Sequence, residues 1–331
     1  MTSVEALSAR WRDADAAGGH ASLIDPLRQA VGADAANAEL RFMLGYSLLA
    51  LGRAEEAGAE LGEAVRLAPG VPEAHFHLGL ALQGLARFEE AHASFREALR
   101  LHLADEARPG APARPGPRVP VPDTTLVCVD CRNHELALCA LRRSMAQCRF
   151  DRALLLSDRK IDAPGIDVVV IPPIASIADY SHFMVKSLAD HVHTGFALVV
   201  QYDGYVLNGR RWEAAFQDYD YVGAPWGRPS RVGNGGFSLR SRKLLRALRD
   251  PRIERDLVPE DIAICETYRG LLQAEHGIRF APPEVAARFA FETLAPPGPT
   301  LGFHGLTHLV RTVDMTDEEI AAYRPPPMVT W

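Results

Sequence analysis

The first hundred residues repeat themselves. LGYSLLALGRAEEAGAELGEAVRLAPG, Leu44–Gly70, returns as LGLALQGLARFEEAHASFREALRLH, Leu78–His102, at an offset of 34 residues. Gly45 matches Gly79, Leu51 matches Leu85, Ala57 matches Ala91, Ala64 matches Ala98 and Leu67 matches Leu101. Small residues at fixed places in a helical pattern let two antiparallel helices pack closely, and stacked pairs share one core. LIDPLRQAVGADAANAE keeps a weaker echo, in which Leu27, Ala30 and Val31 match Leu61, Ala64 and Val65. Residues 1–36 read as a degenerate first unit, giving about three repeats, near the minimum for a stable stack.

This pattern resembles the tetratricopeptide repeat, which implies an all-α domain over 1–104. Such an array serves either as a plain structural cap or as a concave surface for a protein or peptide partner. DEARPGAPARPGPRVPVPD, Asp105–Asp123, is crowded with Pro, Ala and Arg. It reads as a stiff, extended linker that is neither helix nor central strand.

From 124 to 331 the texture changes. TTLVCVD (Thr124–Asp130), RALLLSD (Arg152–Asp158), IDVVVIPP (Ile166–Pro173) and FALVVQYD (Phe196–Asp203) are strand-like runs. Helical patterns lie between them, from His134 to Cys148 and roughly from Tyr180 to His191. Alternation of this kind predicts a mainly parallel sheet covered on both faces, which binds ligands outside the carboxyl ends of its strands. Three such ends carry polar groups: Asp130–Arg132–Asn133, Ser157–Asp158 and Gln201–Asp203. Asp203 before Gly204 is also ordinary turn chemistry.

Three further pieces follow. GAPWGRPSRVGNGGFSLRS, Gly223–Ser241, holds the turn Gly233–Asn234–Gly235–Gly236. Its glycines suit either a tight strand connection or a backbone that aims N–H groups at an anion. VPEDIAIC, Val258–Cys265, puts Glu260 and Asp261 in a first helical turn, where helix-dipole complementation alone accounts for them. LGFHG, Leu301–Gly305, isolates His304 in an apolar setting, as a hydrogen-bonded structural residue or a ligand.

Composition narrows the class. A net charge of -6 on 331 residues offers no basic surplus for nucleic acid. The N-terminus lacks a basic start and an apolar core, and no stretch approaches a membrane span, so the expectation is a cytoplasmic protein. Five cysteines cannot all pair, and the lone C-x-x-C of Cys128 and Cys131 is weak evidence for zinc, so reduced thiols are expected.

In their order, these pieces resemble the core of a GT-A glycosyltransferase, a Rossmann-like α/β nucleotide-sugar transferase. A closer resemblance is to a bacterial family of glycosyltransferase-like domains of unknown function, through YSHFMVKSLADHV, VVQYDGYVLN, DYVGAPW, VGNGGFSLRS, PEDI and GFHG, over about Thr124–His304. The resemblance implies Asp203 and His304 as ligands of Mn²⁺ or Mg²⁺, and Asp261 as general base in an inverting transfer from a nucleotide-diphosphate sugar to an acceptor hydroxyl. Gln201 stands where the usual D-x-D motif has its first acid, which puts strict metal dependence in question. Donor-side candidates are Arg132, Asp158, Lys186, Gln201 and Tyr202, with Lys186 equally readable as a solvated helix-face residue. Acceptor-side candidates are Asn234, Gly235, Gly236, Glu260, Trp226 and His182, the last two equally readable as core aromatics. Two other classes stay open: a nucleotide-sugar-binding pseudoenzyme or interaction scaffold, and a nucleotide-sugar hydrolase.

Overall fold

The computed structural model describes residues 4–17, 19–106, 117–226, 232–292, 294 and 297–305. The chain divides into two compact units, Met1–Pro112 and Ala113–Trp331. The first is helical; the second is a mixed α/β domain with a mainly parallel sheet.

The helical unit runs α1 (Val4–Ala17), α2 (Ile24–Ala33), α3 (Ala38–Ala50), α4 (Ala54–Leu67), α5 (Pro72–Gly84) and α6 (Phe88–Glu106). Its repeat positions do the same job twice. A methyl on Gly45 would stand 2.6 Å from the Leu61 side chain, and one on Gly79 would stand 2.6 Å from the Phe95 ring. Ala57, Ala64, Ala91 and Ala98 are buried at the same helix contacts. The helix pairs thus approach to the distance that a bare Cα allows.

The second unit begins β1 (Val119–Val129), α7 (His134–Gln147), β2 (Cys148–Ser157), β3 (Asp167–Val170), α8 (Ile177–Lys186) and β4 (Phe196–Val200). It continues β5 (Tyr221–Val222), β6 (Phe237–Ser241), α9 (Arg242–Ala247), α10 (Glu260–Ile262), α11 (Arg269–His276), α12 (Pro283–Phe289), β7 (Ala290–Phe291) and β8 (Gly302–Phe303). The main sheet has the order β3-β2-β1-β4-β6-β5. Its first three pairings are parallel, whereas β6 runs antiparallel to both β4 and β5. The carboxyl ends of β1, β2 and β4 therefore share an edge with the amino end of β6. Leu126, Cys128, Leu155, Leu198 and Val200 pack on one face; Val127, Leu154, Leu156, Ala197 and Val199 pack on the other. Burial on both faces explains why these strands read as unbroken apolar runs.

Two expectations need correction. The Pro-rich stretch 105–123 is not all linker: α6 runs to Glu106 and β1 starts at Val119, while 107–116 lie outside the described residues. β1 accommodates Pro120 and Pro122 because its first residues pair with β2 alone. Pairing with β4 begins only at Thr124, past an irregularity between Val121 and Thr125. A missing N–H costs little where one side of a strand has no neighbour. The helix expected from Tyr180 starts earlier, at Ile177, because Ser176 and Asp179 form a reciprocal capping box ahead of it.

Among the described residues no helix is long and apolar enough to cross a membrane. None of the five cysteines is in a disulfide, and Cys128, Cys148 and Cys265 are buried.

Candidate functional site

β4 ends at Val200, and the chain turns through Gln201, Tyr202 and Asp203. The Gln201 N–H donates to the Gly236 carbonyl (2.9 Å), which ties this turn to the glycine turn ahead of β6. The second, two-stranded sheet delivers His304 to the same place. β7 and β8 are parallel, with Phe291 opposite Phe303, so the next residues along, Glu292 and His304, emerge side by side. The Gly305 N–H donates to the Asp203 carbonyl (3.0 Å), fixing the turn from below.

The side chains converge on the imidazole. His304 Nε2 lies 3.2 Å from Asp203 Oδ1 and 3.0 Å from Gln201 Oε1, and Nδ1 lies 2.9 Å from Glu292 Oε1. Asp203 is 8% exposed. Burial by itself would lower the His304 pKa, but the Asp203 and Glu292 carboxylates outweigh it and hold the ring well above its ordinary value. Two glycines make room for this packing. A methyl on Gly236 would fall 2.1 Å from His304 Nε2, and one on Gly204 would fall 2.6 Å from the Phe303 carbonyl oxygen.

The N–H groups of Gly233, Gly235 and Gly236 are all bonded within the protein, which matches the strand connection among the two uses the sequence allows. That of Gly233 donates to the Ala224 carbonyl (3.0 Å). The Gly235 N–H donates to Asp261 Oδ2 (3.3 Å), and the Gly236 N–H donates to Asn234 Oδ1 (3.0 Å). Asn234 is buried at φ 63, a left-handed conformation that Asn tolerates better than most residues. The glycines serve close packing instead: a methyl on Gly235 would fall 1.9 Å from Glu260 Oε1. One wall of the turn is Trp226, whose ring a methyl on Gly233 would meet at 1.8 Å. Residues 227–231 of the glycine-rich motif lie outside the described residues.

Glu260 and Asp261 part company at the start of α10. Asp261 stays partly exposed, and its Oδ1 accepts from the Ile262 N–H (2.8 Å). Glu260 is buried against Arg240, with Oε1 3.0 Å from Nη2, and burial raises its pKa against the pull of that cation. Tyr180 joins the two halves of the site. It lies near Gln201 and Glu260, and burial together with the Glu260 carboxylate pushes its pKa well above the ordinary value.

Other candidates sit elsewhere or are already engaged. Lys186 is not a free cation at the site, because its ammonium donates to the carbonyls of Leu248 (2.7 Å) and Asp250 (3.2 Å) at the end of α9. Burial lowers its pKa. Asp158 accepts from His134 Nε2 (2.8 Å), a bond that lowers the Asp158 pKa and clips the start of α7 to the end of β2. Arg132 and His182 are exposed, and Tyr202 is partly exposed. Arg132 follows Asp130, whose carboxylate accepts from the N–H groups of Arg132 and Asn133 and so shapes the turn. Three participants were not singled out in the sequence: Glu292, Arg240 and Tyr180. Arg240 alone left a visible trace, as a charge inside the otherwise uncharged strand FSLRS.

Residues 38–70 and 72–103 match tetratricopeptide-repeat families, and the helical unit carries these repeats. Residues 166–304 match the family described as Protein of unknown function (DUF5672), so β1 and β2 stand ahead of the matched segment. No curated protein matches the chain. Among solved structures, the second TPR domain of human RPAP3, in complex with an HSP70 peptide, is 25% identical. That match covers 29% of this chain and 81% of that one, with a TM-score of 0.28. The Yersinia enterocolitica type III secretion translocator chaperone SycD is 18% identical over 31% of this chain and 77% of that one, with a TM-score of 0.29.

Proposed function

We propose that the α/β unit is a GT-A-like glycosyltransferase that moves a sugar from a nucleotide-diphosphate sugar to an acceptor hydroxyl. The observation carrying this reading is the pair Gly235–Gly236. One glycine holds Asp261 by its N–H, the next packs on His304, and His304 meets Asp203. A carboxylate open to solvent and a separate acid–imidazole pair are thereby held by adjacent residues at the ligand-binding edge of the sheet.

The residues fit a divalent cation. Glu292 on Nδ1 is the type of partner that fixes a ligating imidazole, and a cation would take the place of the Nε2 proton shared with Gln201 and Asp203. Nε2 stands 3.2 Å from Asp203 Oδ1 and 3.0 Å from Gln201 Oε1. Neighbouring ligands at about 2.1 Å on an octahedral cation lie about 3 Å apart. Among the described residues no group of three or more His, Cys, Asp or Glu side chains forms a metal site. Mg²⁺ or Mn²⁺ would rest on Asp203 and His304, with the Gln201 amide beside them and substrate oxygens completing the shell. When bound, the cation supplies positive charge against the departing diphosphate.

Asp261 acts as the general base. Its carboxylate takes the acceptor's hydroxyl proton as the acceptor oxygen bonds the anomeric carbon and the bond from that carbon to the diphosphate oxygen breaks. Attack from the face opposite the leaving group inverts the centre. Glu260 is unsuited to this role, being 5% exposed and bound to Arg240. The test is product analysis of the full chain with Mn²⁺ and a panel of nucleotide sugars, with and without acceptors. A new glycoside supports transfer; free sugar alone means a hydrolase; binding without any product means a pseudoenzyme.

The repeats then recruit the acceptor, as a protein or peptide, or a partner acting with it. Comparing the full chain with residues 113–331 tests this. Recruitment predicts that the shortened chain still cleaves its donor slowly but loses efficiency on the native acceptor. Equal efficiency on every acceptor, or aggregation of the shortened chain, would count against it.

A further inference from the structure

Arg240 is the largest fully buried side chain among the described residues, and the proposed chemistry gives it no part. It lies on β6, with Nε donating to Ser238 Oγ (3.0 Å) and Nη2 donating both to the Gly235 carbonyl (3.1 Å) and to Glu260 Oε1 (3.0 Å). Ser238 Oγ donates to the same Gly235 carbonyl (3.1 Å). Gly235 is therefore gripped twice at its carbonyl, and its own N–H is the donor to Asp261 Oδ2. Arg240 Nη1 is buried with no acceptor among the described residues.

A guanidinium in this position is a poor device for stability alone. Removing a charge from water costs about what the pairing returns, and apolar residues of like volume fill such a space as well or better. What Arg240 does supply is a planar fork that spans two elements at fixed angles, joining the glycine turn to the first residue of α10. A lysine would bring the charge without the fork.

We propose that Arg240 is a positioning residue that acts through Gly235. By tying the Gly235 carbonyl to Glu260, the residue before Asp261, it holds the start of α10 against the glycine turn and so sets how the Asp261 carboxylate meets the Gly235 N–H. This rests on the reading of Asp261 as the base, but the coupling has a readout that needs no substrate.

Asn–Gly occurs twice in the chain, at 208–209 and 234–235. Labelling Asn with carbonyl ¹³C and Gly with ¹⁵N therefore leaves two amides visible by NMR, Gly235 and the internal control Gly209, whose N–H donates to Gln147. The Gly235 amide of the full-length chain is followed through the carboxylate range, about pH 3 to 6. An amide bonded to a carboxylate moves as that carboxylate ionises, and the part of the movement lost in Asp261→Asn measures the bond. Arg240→Lys is expected to cut that part at least twofold and Ser238→Ala to cut it measurably, with Gly209 unchanged in both. Ser238→Ala keeps the test decisive if Arg240→Lys does not fold. An Asp261-dependent movement of full size in the folded variants overturns the proposal, as does its absence in the wild-type chain. Turnover is measured on the same samples. Intact coupling without any transfer removes the glycosyltransferase reading and leaves the link, whereas transfer with kcat unaltered in Arg240→Lys removes the link alone.

Discussion

Gly79 in the repeats and Gly236 in the site are alike in one respect, since a methyl on either would collide. They collide with different kinds of partner. At Gly79 the obstacle is the Phe95 ring, on the partner helix of the same repeat. At Gly236 it is the Nε2 of His304, which reaches the site from a separate small sheet. The first glycine sets the spacing of an apolar contact; the second sets the place of a polar group whose partners are Asp203, Gln201 and Glu292. Packing of the first kind repeats along the chain 34 residues apart, and packing of the second kind brings together side chains from separate elements.

The sharpest way to test that contrast is to break the buried pair beneath the site. Glu260→Ala leaves Arg240 uncompensated in the interior and is expected to destabilise the α/β unit by about 3–5 kcal/mol in urea unfolding. A loss below about 1 kcal/mol would place the pair among exposed ones. Gly236→Ala comes next. Displacing the His304 ring is expected to cut Mn²⁺ affinity about 10–100-fold, the usual cost of disturbing the support of a metal ligand. Unchanged affinity by calorimetry would detach His304 from any metal role. Gly79→Ala is expected to cost about 1–3 kcal/mol through overpacking, with Mn²⁺ affinity unchanged.

The smallest effect concerns the clip between α7 and β2. The bond from His134 holds the Asp158 carboxyl below its ordinary value, so folding binds this proton less tightly than the unfolded chain does. Its contribution is present above the unfolded value, about 3.9, and fades as pH falls through the lower folded value. His134→Ala should therefore lower the urea midpoint slightly near neutrality and by less in acid. A difference that grows on acidification would reverse the sign.

The contrast also explains what the sequence reveals. The repeat unit is legible because each close contact recurs 34 residues on. In the α/β unit the strands are legible as apolar runs, and Asp203, Asp261 and His304 stand out because each interrupts apolar chain beside a turn. Their geometry and neighbours are less accessible. Glu292 becomes a partner of His304 only through the β7–β8 register, and nothing around FAFET announces a two-residue strand. Lys186 reads as a cation facing the site until the carbonyls of Leu248 and Asp250, far along the chain, are folded onto it. Pro120 and Pro122 read as linker because prolines argue against a central strand, and the one-sided pairing of early β1 is a tertiary fact.

The account stands most directly on Asp261 as a base separate from the donor site. The decisive measurement pairs donor binding by calorimetry with turnover, for wild type and Asp261→Asn, using the nucleotide sugar that the wild-type protein consumes. The account predicts donor affinity within about threefold of wild type and transfer reduced at least 100-fold, the lower range for losing a general base. Transfer near the wild-type rate in Asp261→Asn would contradict it and return Asp261 to the role of a helix-start residue.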